Sequence, residues 1–145
     1  LYRSIYENKP RRILEILTTT YTGCDVICLQ EAAASLIEQA SASSLNDNFI
    51  IVTPEQVDGV RNQNSLVFLN RAAFTECREV TDEVLARYNA HEHLRLDDGD
   101  MFALSAKGTD DVNYFIASFH GDTNGIASTP AMSALMQCLS DVLPD

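Results

Sequence analysis

The sequence predicts one mixed α/β domain, and three observations carry that expectation. Two apolar runs, 24–29 (CDVICL) and 114–119 (YFIASF), have the length and residue types of buried strands, and each stops abruptly at polar residues. Helical spacing of apolar residues recurs over 11–20, 32–44 and 130–143. Finally, 145 residues give room for one real core, burying roughly two thirds of the unfolded surface. No internal repeat or low-complexity linker divides the chain, so residues 1–145 read as a single domain.

The elements follow in order. Residues 1–10 are weakly patterned and peripheral. From Arg11, the residues Ile13, Leu14, Ile16 and Leu17 recur at helical spacing, with Pro10 suited to a helix start and Thr18, Thr19, Thr20 and Gly23 to its end. Residues 25–29 are too apolar for a solvated face and are expected at the centre of a sheet covered on both sides. The alanine-rich 32–44 carries Leu36, Ile37 and Ala40 on one face of a second helix. Short strands follow at 49–52 and 65–69, separated by a polar loop over 54–62.

Within 74–88 the signals are mixed, with a short helix expected at 81–88. Residues 91–100 read as a polar connection with a tight turn at Asp97, Asp98 and Gly99. Residues 101–105 and 114–119 predict a β-hairpin joined by the turn-rich 107–111. The last helix, 130–143, has Pro130 in its first turn and Ser128 or Thr129 as cap. Its face of Met132, Leu135, Met136, Leu139 and Leu143 reads as core packing.

Composition narrows the partners. Ten Lys and Arg against twenty-one Asp and Glu give a net charge of −11, which repels a polyanion such as duplex DNA unless cations intervene. The same charge is compatible with a small phosphorylated ligand held through a metal. No apolar run approaches the roughly 20 residues of a membrane span. The first residues lack the basic, apolar pattern of a signal peptide, and the opening on Leu1 leaves room for a trimmed product. Cys24, Cys28, Cys77 and Cys138 are too few and too spread for a disulfide framework and read as reduced thiols, favouring an intracellular protein.

The chemistry is concentrated at the two strand ends. A carboxylate, Glu31, closes the first, and His120, Gly121, Asp122, Thr123, Asn124 and Gly125 close the second. In α/β proteins such strand ends are where ligands gather. Phosphodiester hydrolysis needs a hard cation held by oxygen ligands, for which Glu31 is suited. It needs donors to the developing charge, for which His120 and Asn124 are suited. It also needs a base for water, and no strand end here offers one. Each residue also has a plain structural reading: Glu31 as a solvated strand end, His120 as a structural histidine, and 122–124 as a turn. His91 and His93 are spaced for one strand face, but no Cys or carboxylate pattern completes a metal site with them. Asp97, Asp98 and Asp100 lack the remaining ligands of a calcium loop.

The order of these motifs, DVICLQE at 25–31, NSLVFLNR at 64–71 and IASFH at 116–120, resembles the endonuclease/exonuclease/phosphatase superfamily of metal-dependent phosphoesterases. That resemblance extends over about Arg11 to Leu143. It implies that Glu31 is a ligand of a catalytic magnesium (or manganese) ion and that His120 contacts the scissile phosphate. Asn64 would orient the imidazole, and Asp122, Thr123 and Asn124 would lie against the phosphate. It further implies half of a four-layered α/β/β/α sandwich: a mixed sheet with 25–29, 65–69 and 114–119 as neighbouring strands, flanked on one face by 11–20, 32–44 and 130–143. The family's G-D-x-N strand end and its closing D-H pair have no counterpart here, so the chain reads as the N-terminal part of such a domain.

From this follow an apolar, uncovered sheet face that invites self-association, a protein partner or the missing C-terminal half, and no turnover by these residues alone. Glu31 and His120 should converge within roughly 10 Å at one end of the sheet, with Asn64 touching the imidazole and Asn124 facing the same cleft. Two function classes result: a magnesium-dependent phosphoesterase of undetermined substrate, and a catalytically inactive phosphoesterase-like domain serving as a structural or binding subunit.

Overall fold

The structure, a computed structural model, describes residues 2–57, 59–60, 63–88, 95–97, 99–121 and 124–143, with the side chains of residues 2–8 excepted. Among them are five helices and six strands in the order α1 (Tyr2–Thr19), β1 (Val26–Ala32), α2 (Ala34–Ser41), α3 (Leu45–Asn48), β2 (Phe49–Val52), β3 (Asn64–Asn70), β4 (Phe74–Glu79), α4 (Thr81–Leu85), β5 (Met101–Gly108), β6 (Asn113–Phe119) and α5 (Ser128–Val142). No helix is long and apolar enough to cross a membrane among the described residues. All four cysteines are free thiols.

The strands form two antiparallel three-stranded sheets, β1-β3-β2 and β4-β5-β6. Period-two alternation sends successive side chains to opposite faces, and both central strands are apolar on both. On β3, Leu66 and Phe68 pack with Leu17, Leu36, Ala40 and Leu45 of α1, α2 and α3. Its alternate residues, Val67 and Leu69, pack with Phe102, Leu104 and Ala106 of β5. The other face of β5, Met101 and Ala103, packs with Val84 of α4 and with Ala131, Ala134 and Cys138 of α5. The two sheets therefore share one apolar seam, and each carries helices on its far side.

Several expectations are corrected here. The strand 114–119 is not a neighbour of 25–29 and 65–69 in one mixed sheet, because β6 pairs with β5 in the second sheet and every pairing is antiparallel. The sheet face expected to be bare is covered, since β4, β5 and β6 lie over it in the same chain. With the face covered, the reason given for self-association is removed. The helix 130–143 flanks the second sheet, away from α1 and α2. The apolar run of β1 lies at a sheet edge, and β3, which bonds to strands on both sides, takes the central place.

The hairpin forms as expected, with longer arms. Its partner β4 was hidden in the sequence because Thr75, Glu76, Arg78 and Glu79 are polar. Helix α1 begins at Tyr2 and carries Pro10 inside it; the missing N–H of a proline removes one rung of the helical ladder without ending the helix.

On α5 the expected core face is split: Leu135 packs against the core, but the methionines do not. Met132 and Met136 are 59% and 57% exposed, while Ala131, Ala134 and Cys138 face the sheet. The reason is packing: Phe115 and Phe119 of β6 already fill this layer, so small residues let the helix approach closely.

Candidate functional site

The site begins with an irregularity in β1. Its register with β3 shifts between Leu29 and Ala32, placing a bulge at Gln30 and Glu31. Glu31 has φ +54, a left-handed backbone that a non-glycine residue adopts at a cost of order 1 kcal/mol. The bulge turns both side chains away from their own sheet and towards the other. Gln30 Nε2 donates to the Phe119 carbonyl at 2.6 Å, and Glu31 Oε1 lies 3.2 Å from His120 Nε2.

His120 follows β6 directly. Its N–H donates to the Asp100 carbonyl at 2.7 Å, so the end of β6 is tied to the turn that opens β5. The imidazole is 31% exposed and the Glu31 carboxylate 58%. A half-buried imidazole held by a carboxylate in this way is fixed in orientation. It can donate a hydrogen bond or move a proton to an oxygen presented from solvent.

The same turn ties in the first sheet. Ser65 N–H donates to the Gly99 carbonyl at 3.1 Å, bringing the start of β3 against the start of β5. Gly99 has φ +90, and a Cβ there would lie 2.6 Å from the Gln63 carbonyl oxygen. Only glycine allows the two backbones to come this close.

The sequence-predicted residues separate into four groups. Glu31 and His120 are brought together from different sheets. Asn64 is wholly buried, and its amide is turned to β1: Nδ2 donates to the Ala32 carbonyl at 3.0 Å. It thereby braces the strand segment that carries Glu31. Asn124 is exposed in the turn leading to α5. Asp122 and Thr123 lie outside the described residues, as do His91, His93 and Asp98.

Sequence reasoning missed an acidic cavity of about 380 Å³ beside the same turn, where Glu55, Glu79, Asp82, Glu83 and Asp97 join Gly99 in the lining. The Arg78 guanidinium bonded to Glu83 holds that carboxyl below the ordinary range. The acidic run from Glu76 to Glu83 was the available signal. The negative charge of this lining repels an anion.

As a magnesium centre the described residues fall short. Magnesium takes near-octahedral oxygen coordination, and Glu31 is one suitable donor. Among the described residues no group of three His, Cys, Asp or Glu side chains is placed to hold a metal ion. Comparison with family models, with curated proteins and with solved structures gives no match.

Proposed function

We propose that the chain is a phosphoesterase-type domain that receives a phosphoester at the Glu31–His120 end of its two sheets. The observation that carries this reading is the 3.2 Å contact between Glu31 Oε1 and His120 Nε2, made across two sheets by the ends of the very motifs that resemble the superfamily. The stacking of helices, two sheets and helices around three apolar clusters is read as the α/β/β/α sandwich of that superfamily. In this reading His120 is the group that meets the phosphoryl oxygen, and Glu31 is a positioning residue that holds the imidazole. The pair recognises the phosphoester, and hydrolysis requires oxygen ligands for a cation beyond those described.

A second reading, magnesium-dependent hydrolysis of a phosphoester, is favoured by one observation. The Glu31 carboxylate is more than half exposed, so it is open to a cation as well as to His120. The two readings separate in one set of titrations with inorganic phosphate. His120→Ala is expected to weaken phosphate binding about tenfold, the loss of a charge-assisted hydrogen bond. Unchanged affinity in His120→Ala would sink the assignment. With added magnesium, turnover of bis(p-nitrophenyl) phosphate that Glu31→Gln abolishes would decide for the hydrolase.

A further inference from the structure

Two buried hydroxyls among the described residues, Ser65 Oγ and Ser118 Oγ, have no hydrogen-bond partner. Ser65 is wholly buried and Ser118 is 2% exposed. Strand alternation places Ser65 on the same face of β3 as Val67 and Leu69, and Ser118 on the same face of β6 as Ile116. Those apolar residues all pack in the seam between the sheets. Both hydroxyls therefore point into the seam.

They also lie at the same end of it. Ser65 is bonded through its N–H to Gly99, and His120 through its N–H to the adjacent Asp100. Ser118 stands two residues before His120, about 7 Å along the strand, and pairs with Phe102 of β5. Gln30 and Glu31 arrive from β1 at Phe119 and His120. The two serines thus form the layer immediately beneath the Glu31–His120 pair, where the seam changes from apolar to polar.

A buried hydroxyl without a partner costs about 1–3 kcal/mol, and native proteins contain few of them. Alanine at either position would avoid that cost, and two such groups in one layer leave hydrogen bonds for a ligand to make. Its chemistry follows from the groups present. Two neutral hydroxyls can each donate, and Glu31, the neighbouring carboxylate, is engaged with His120 Nε2. One acceptor oxygen of a ligand can take a hydrogen bond from both hydroxyls. The negative cavity that Gly99 helps to line would suit a cation, and neither serine lines it.

We infer that Ser65 and Ser118 are the floor of the phosphate subsite, their hydroxyls donating to one phosphoryl oxygen that enters the seam beside His120 Nε2. This rests on the phosphoester reading above. No bond is made or broken in this step; the bound oxygen satisfies both hydroxyls together. Solvent does not reach the hydroxyls while the end of the seam is closed, so the oxygen enters as the partly exposed side chains there part.

The test is titration of the chain with inorganic phosphate, alongside urea unfolding in its absence. Ser65→Ala and Ser118→Ala are each expected to weaken phosphate binding about fivefold, and the double variant more than tenfold. Without phosphate, the urea midpoints of the variants should equal or exceed that of the parent, because an unpartnered buried hydroxyl has been removed. If both variants bind phosphate as the parent does while His120→Ala still weakens it, the serines are not part of the subsite and the role of His120 stands. Variants with lowered urea midpoints and unchanged affinity would show the serines to be structural and would overturn the inference. If the parent itself binds no phosphate, the inference and the phosphoester reading fall together.

Discussion

Replacing Phe102 with alanine is expected to cost about 3–5 kcal/mol of folding stability, read from urea unfolding. Phe102 is fully buried on β5, the central strand of its sheet, and faces Val67 and Leu69 of the other sheet. Truncation removes apolar contact area and leaves a cavity that two rigid sheets are slow to close, so both terms of a large-to-small substitution apply. Met132→Ala on the exposed face of α5 is the matched control and should lie within about 0.5 kcal/mol of the parent. A Phe102→Ala cost below about 1 kcal/mol would mean that the sheets are not packed through this seam.

Gly99→Ala is expected to lose about 2–3 kcal/mol, although it adds only one methyl group. The residue has φ +90, where an L side chain is strained, and its new Cβ would meet the Gln63 carbonyl oxygen at 2.6 Å and Asn64 Cα at 3.1 Å. Both contacts are backbone, so no side chain can rotate away. Relief requires the starts of β3 and β5 to separate, which stretches the Ser65-to-Gly99 bond and disturbs the Asp100 carbonyl that holds His120. The substitution should therefore weaken phosphate binding as well as stability. A variant as stable as the parent would show that this approach of the two backbones is not required.

Much of the fold was legible because its strongest signals are local. The apolar runs of β1, β3 and β6 and the turn between β5 and β6 announce themselves within a few residues of sequence. What the sequence concealed was the division into two sheets. The runs Leu66–Leu69 of β3 and Met101–Leu104 of β5 are apolar whichever layer they face, so residue type cannot say whether a helix or a second sheet covers them.

The helix α5 shows the same ambiguity in another form. Its large and small apolar residues occupy adjacent stripes, and only the aromatic residues already present on β6 decide that the small stripe goes inward. At the site, the acidic and imidazole residues were visible as strand ends. The bulge that turns Glu31 across to the other sheet was not, because no glycine or proline marks it. Asn64 was expected to orient the imidazole, but its amide donates to a backbone carbonyl, and backbone acceptors leave no trace in residue type.

The most direct measurement of the central claim is a double-mutant cycle between Glu31 and His120 read in affinity for inorganic phosphate. If Glu31 acts by holding the imidazole, Glu31→Gln weakens binding in the parent and has no further effect once His120 is alanine. The double variant then binds phosphate as His120→Ala does. Losses that multiply, with the double variant weaker than either single one by the product of their effects, would contradict a site built from this pair.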